Sequence, residues 1–223
     1  MEILKQLIDL FLHLDRYLAT IIQQFGTLTY AILFVVIFIE TGVVIFPFLP
    51  GDSLLFAAGA FAAIGNLNVW LIFVLMAVAA IAGDSANYWI GHLIGKRAYT
   101  GEIKFIKKEY IDKTHGFFEK YGNKTIFLAR FVPIVRTFAP FVAGVGEMTY
   151  SHFFSYNVFG GIVWVALCTF TGYFFGNLDV VKNNFSLVVI AIIVISLLPA
   201  VYEWLKAVQE NKKAQKQTNP SAE

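Results

Sequence analysis

Two arginines, Arg130 and Arg136, sit in an otherwise apolar stretch, and three acids, Glu40, Asp52 and Asp84, sit in or beside other apolar runs. A charge at bilayer depth is expensive unless it is paired, and such residues mark pathways and binding sites. Arginine offers a planar fork of donors and stays charged at any relevant pH, so Arg130 and Arg136 suit a phosphate. A carboxylate in an apolar site can exchange a proton, because burial disfavours its charged form. Glu40 and Asp52 are therefore the candidate proton carriers. Asp84, flanked by Gly83 and followed by Asn87, fits helix packing or hydrogen bonding as readily as transport. The plain alternative is that these five charges only pair, orienting the segments that carry them.

Other chemistry finds little support. His13, His92, His115 and His152 are far apart and match no metal spacing. No metal, cofactor or nucleic acid is expected. The single cysteine, Cys168, lies in an apolar run and reads as a small buried hydrophobe. An intramembrane lipid phosphatase would need a basic–histidine–aspartate constellation, and no histidine neighbours Arg130 or Arg136 in sequence.

The elements that must carry these charges follow from composition. The 223 residues are 58% hydrophobic and 14% charged, against about 25% charged in ordinary soluble domains. The chain reads as an all-α polytopic membrane protein. Residues 3–18 have an amphipathic helical pattern, within an N-terminal interfacial segment 1–25, and no signal peptide is read there. Residues 28–46, 69–95, 151–176 and 185–205 are candidate spans. Pro47, Pro50 and Gly51 break the chain after the first. The apolar run 54–64 is then too short to cross, with Asp52 or Ser53 expected to cap its helix. Residues 125–146 hold Arg130, Pro133, Arg136 and Pro140, which a continuous lipid-facing helix would not tolerate. Residues 96–124 carry eight basic residues and four acids and read as a solvated loop or surface helix. The tail 206–223 is polar.

Charge and parity give a topology. The basic loop 96–124 and the lysine-rich tail belong in the cytoplasm, as does the N-terminus. The segments 47–64 and 125–146 must then each enter and leave on one side, from opposite faces. Two oppositely oriented re-entrant hairpins in a pseudo-inverted repeat are the layout of a midplane transport site.

Four stretches carry a family resemblance. They are Phe38-Ile39-Glu40-Thr41-Gly42 with Pro47-Phe48-Leu49-Pro50-Gly51-Asp52-Ser53; Gly83-Asp84 with Asn87-Tyr88; Phe127 to Pro140 ending at Ala143-Gly144; and Tyr156-Asn157 with Gly160, Trp164 and Gly172-Tyr173. Together they resemble the DedA family, with its VTT-type membrane domain, over about residues 28–176. The resemblance implies a bacterial inner-membrane protein, residues 26–205 forming the membrane domain. It implies movement of a lipid carrier, undecaprenyl phosphate or in some branches phosphatidylethanolamine, with proton coupling. It also implies functional weight at Glu40, Asp52, Arg130 and Arg136, with Asp84, Pro50, Gly51, Pro133, Pro140 and Asn157 in support. The expected partners are membrane lipids, an anionic lipid phosphate and protons, with a homo-oligomer allowed. Two rival functions stay open: a proton or small-ion antiporter, and a scaffold that moves nothing.

Overall fold

A computed structural model describes residues 14–43, 51–94, 108–146, 148–176 and 178–179. All the regular elements among them are helices. Helix α1 is Leu14–Phe25, α2 is Leu28–Gly42, α3 is Gly51–Ala63 and α4 is Val69–Ile94. Helix α5 is Lys108–Tyr121, followed by a 3-10 turn, Gly122–Lys124. Helices α6 (Thr125–Ala129), α7 (Pro133–Val145) and α8 (Tyr150–Phe175) complete the described chain. The expected span 185–205, the tail, Pro47 and Pro50 lie outside the described residues.

Helices α4 and α8 have 26 residues each, about 39 Å, more than a ~30 Å hydrocarbon core. Only 39% and 33% of their most apolar windows are buried within the protein. Trp70, Leu71, Val74 and Val78 on α4, and Phe159, Ile162, Leu167 and Phe174 on α8, face outward. A helix buried in a water-soluble core would not leave such a surface bare, so lipid is its solvent.

Helix α7 has 13 residues, and α3 has 13 among the described residues, about 20 Å each against a ~30 Å hydrocarbon core. Each packs chiefly on a long helix distant in sequence: α3 on α8, and α7 on α4. Glycines permit both crossings. A Cβ on Gly59 would strike the Thr169 carbonyl, and one on Gly172 the Phe56 carbonyl. Likewise one on Gly91 would strike the Phe141 carbonyl, and one on Gly144 the Tyr88 carbonyl. Small residues let helix backbones approach where lipid supplies no hydrophobic drive.

Some elements differ from the sequence reading. Helix α1 continues to Phe25 and stops at Gly26, whose φ of 51° suits a residue without a Cβ. Its Leu18 is buried in the core, so the helix docks on protein rather than only on the membrane surface. Helix α2 ends at Gly42, with Val43 already extended. Asp52 and Ser53 do not cap α3; they lie inside its first turn, since the helix already includes Gly51. The residue order Gly51-Asp52 matters here, for the carboxylate is carried by the helix wall and turned inward.

The interrupted segment 125–146 is broken at its proline. Pro133 clashes with a helical residue before it, and Val132 is extended at φ −121°, ψ 106°. Helix α6 therefore stops and α7 restarts with Pro133 in its first turn. Helix α5 is a surface helix, with Asp112, His115, Glu119 and Lys120 exposed.

Filling the crossings should be costly. Gly59→Val and Gly144→Val should each lower the stability of detergent-solubilised protein by about 1–3 kcal/mol, since the obstacle is backbone. Gly116→Ala, where a Cβ meets nothing, should raise it by up to about 1 kcal/mol. Thermal melts that place all three variants together would refute this account of the packing.

Candidate functional site

The break at Pro133 sets where the two arginines point. Arg130 is the residue that ends α6, and Arg136 is the fourth residue of α7. They enter two different acid clusters.

Arg130 is sealed in. Its Nη2 donates to Asp84 Oδ2 on α4 and to Asn157 Oδ1 on α8, the latter at 2.6 Å. Asn157 is itself fixed, its amide nitrogen donating to the Ile81 carbonyl at 3.0 Å and to Ser85 Oγ at 3.4 Å. Gly160 and Gly161 make room: a Cβ on the first would lie 3.0 Å from Arg130 Cδ, and on the second 3.4 Å from Nη2. The side chains of Arg130 and Asp84 are 5% and 8% exposed.

Arg136 bridges two acids. Its Nη1 donates to Asp52 Oδ1 at 2.8 Å, and its Nη2 donates to Glu40 Oε1. One guanidinium thus ties α7 to α2 and α3. Glu40 is buried, Arg136 is 15% exposed and Asp52 is 27% exposed. The cluster is therefore closed at Glu40 and open at Asp52. Gly51 stands against the Glu40 carboxyl, where any Cβ would collide. Pro140 lies inside α7, four residues after Arg136, and removes the donor that would bond the Arg136 carbonyl.

Trp164 joins the two clusters. Its Nε1 donates to Asp52 Oδ1 at 2.7 Å. The guanidinium carbons of Arg136 and Arg130 lie 5.1 and 5.9 Å from its ring centroid, within cation–π range. Asn87 locks the backbones behind them. Its Nδ2 donates to the carbonyls of Thr41 at 3.2 Å and Thr137 at 2.9 Å, the residues next to Glu40 and Arg136. Sequence reasoning placed Asn87 beside Asp84 and Trp164 in a family match, but gave neither this work. Gly160 and Gly161 were legible only as small residues.

The charges do not balance. Three carboxylates, Glu40, Asp52 and Asp84, face two guanidiniums, which leaves one negative charge when all are ionised. Glu40 Oε2 and Arg130 Nε are buried without a partner among the described residues. Such a cluster can bind a proton, and an anion that competes with the carboxylates for Arg136.

A family model described as the VTT domain matches residues 49–174. The chain is 53% identical over 209 residues to Protein DedA of Escherichia coli K12, covering 92% of this chain and 95% of that one. It is 43% identical over 168 residues to an uncharacterized membrane protein of Mycobacterium leprae, covering 75% of each. It is 32% identical over 181 residues to the inner membrane protein YqjA of Escherichia coli K12, covering 81% and 82%. No solved structure matches it.

The sealed pair should behave as a unit. Arg130→Met strands Asp84 without a cation and should cost about 3–5 kcal/mol of stability, whereas Arg130→Met with Asp84→Leu should cost much less. Thermal denaturation of the purified variants reads both. A double variant no more stable than the single would show that the two side chains do not depend on each other.

Proposed function

Since the chain belongs to the DedA family of VTT-domain membrane proteins, we propose that it carries a phosphate-bearing lipid across the membrane, coupled to protons. The observation that carries this reading is the bridge from Arg136 to Glu40 and Asp52, open at the Asp52 end. Phosphate and carboxylate want the same guanidinium fork. While both acids are ionised, they occupy it. A proton on Asp52 or Glu40 removes one claimant and frees donors for a lipid phosphate. Loss of that proton on the other side restores the bridge and expels the anion. Proton and cargo thus bind together, and the surplus carboxylate is what the proton neutralises. Arg136 is the group that meets the cargo in this scheme. Arg130, held by Asp84 and Asn157, sustains the positive field beside it, reaching cargo only when that pair opens.

The short helices supply the moving parts. We read α3 and α7 as the inner arms of two re-entrant segments, entering from opposite faces. Their support is reciprocal packing: each rests on the long helix of the other half. Helices α4 and α8 are equal in length and begin 81 residues apart (150 minus 69), and Gly91 and Gly172 share that spacing. An inverted repeat would produce this correspondence. We place the chain in the bacterial inner membrane, as its likeness to the inner membrane protein YqjA supports, with both termini cytoplasmic by the lysine distribution. The cycle needs no covalent step, so no enzymatic activity is proposed. Undecaprenyl phosphate is the cargo we test first.

One observation favours a second reading. The buried Glu40 Oε2, which lies outside the Arg136 bridge, fits a proton or small-cation site that needs no lipid. An antiporter would use it directly.

Proteoliposomes separate these readings. Undecaprenyl phosphate translocation should respond to an imposed pH gradient, and Arg136→Ala should lower it at least tenfold. Asp52→Asn should retain binding yet lose the response to the gradient. Proton flux that persists without lipid cargo would replace this proposal with the antiporter. Absence of both fluxes in folded protein would leave a scaffold.

Trp164→Phe keeps the ring and loses the N–H that holds Asp52. It should slow lipid flux several-fold while changing the melting temperature little. Full flux in that variant would show that the indole does not position Asp52.

A further inference from the structure

One helix crossing occurs twice in this chain. A Cβ on Gly59 of α3 would meet the Thr169 carbonyl and the Tyr173 backbone nitrogen of α8. A Cβ on Gly144 of α7 would meet the Tyr88 carbonyl and the His92 backbone nitrogen of α4. Gly172 stands against Phe56 as Gly91 stands against Phe141. On the long helices each contact maps onto its counterpart by 81 positions (169 after 88, 173 after 92, 172 after 91), and on the short helices by 85 (144 after 59, 141 after 56).

That correspondence exposes an unequal pair. Asn87 on α4 is matched by Cys168 on α8, and Thr137 on α7 by Asp52 on α3. Asn87 is fully buried, and its Nδ2 donates to the Thr137 carbonyl at 2.9 Å and to the Thr41 carbonyl at 3.2 Å. Cys168 faces the matching place. It follows by one helical turn Trp164, which donates to Asp52, and the charges of Asp52, Arg136 and Glu40 reach its thiol. A thiol is one weak donor and cannot tie two carbonyls as an amide does.

The two short helices are therefore held at the centre by different chemistry. Helix α7 is held by Arg136 and also by the uncharged bond from Asn87. At the Asp52 end of α3 the described ties run through acids: Asp52 accepts from Arg136 and Trp164, and Gly51 faces the Glu40 carboxyl. The groups that act on these acids are Arg136 of α7, Cys168 and Trp164 of α8, and Asp84 of α4, which pairs with Arg130. A proton on Asp52 or Glu40 weakens the charge-assisted ties and leaves an amide–carbonyl bond untouched. The other end of α3 is anchored in the turn to α4, where the Asn66 N–H donates to the Phe61 carbonyl and the Gly65 N–H to the Ala62 carbonyl, each at 3.1 Å.

We propose that α3 is the arm that swings when the cluster takes up a proton, pivoting about its Gly59 crossing, and that Asn87 is the positioning residue that keeps α7 in place. The inference deepens the transport reading, on which its use rests, by naming the half of the site that opens. The assignment of the moving arm needs no cargo.

Hydroxyl-radical footprinting of the full-length chain in phosphatidylcholine nanodiscs tests it, since oxidation reports water access at buried side chains. Asp52→Asn, which stands in for the protonated acid, should raise oxidation of Cys168 and Leu55 several-fold over wild type, with Phe138 and Phe141 of α7 unchanged. Acidification of the wild type should give the same pattern and serves if that variant does not fold. Asn87→Ala should extend the rise to Phe138 and Phe141. Cys168→Asn installs the missing amide; in the Asp52→Asn background it should return Leu55 to the wild-type level, and Cys168→Ala should not. An equal rise on both helices, a rise on α7 alone, or no rise on either would overturn the inference. Lipid flux is measured separately. The α3 pattern in a protein without flux would keep the moving arm and remove the transport reading, whereas flux without that pattern would do the reverse.

Discussion

A guanidinium in an apolar interior must find its counter-charge within the protein, because lipid offers none. Arg136 meets that demand with two acids from two other helices, α2 and α3. The rest of the fold can be understood as what brings those groups within reach. Helix α2 must stop early enough to turn Glu40 inward. Helix α3 must start with a glycine and an aspartate. Helix α7 must restart after a proline so that its fourth residue faces them. Asn87 then fixes the spacing by hydrogen bonding to the backbones of α2 and α7, one residue from each charge. A buried bridge of this kind adds little net stability, because desolvation offsets much of the attraction. In the proposed cycle its use is that it opens at the more exposed Asp52 end.

The two arginines divide along that line. Arg130 has an acid, a fixed amide and two glycines shaped around it, and its surroundings exclude solvent. Arg136 shares Asp52 with an indole, and that aspartate is the most exposed member of the set. A group that must exchange partners needs access, and a group that must hold its neighbours does not. The protein thus sets a sealed charge next to a more accessible one, with Trp164 in contact with both.

The sequence made the charges legible because lipid makes any charge conspicuous. Glu40, Asp84, Arg130 and Arg136 stand out of apolar runs by letter alone, and Pro133 and Pro140 announce a broken helix. Which acid meets which arginine was not legible, since that depends on contacts between residues 46 to 96 positions apart. Asp52 was misplaced by one turn logic: an aspartate after Pro-Gly looks like a cap, and the helix begins before it. Trp164 was hidden by its company. In a chain with 17% aromatic residues, an indole reads first as lipid-facing, and only its hydrogen bond to Asp52 marks it otherwise. Gly160 stands in the sequence only as part of the family resemblance and Gly161 not at all, because a missing side chain carries no chemistry of its own.

Glycine contacts also bear on how such a protein can move. Side-chain interdigitation fixes helices in one register, whereas crossings made backbone to backbone present a smoother surface. Here both short helices ride on glycine crossings, α3 over Gly172 and α7 over Gly91. The ties across the centre are polar and few: the Arg136 bridge and the Asn87 bonds. In the proposed cycle, proton uptake acts on the first of these alone. Breaking it removes the strongest link between α7 and the α2–α3 pair, while the glycine crossings leave each short helix seated on its long partner. The geometry thus separates what seats each short helix on its long partner from what ties α7 to α2 and α3, and in the proposed cycle only the second responds to charge.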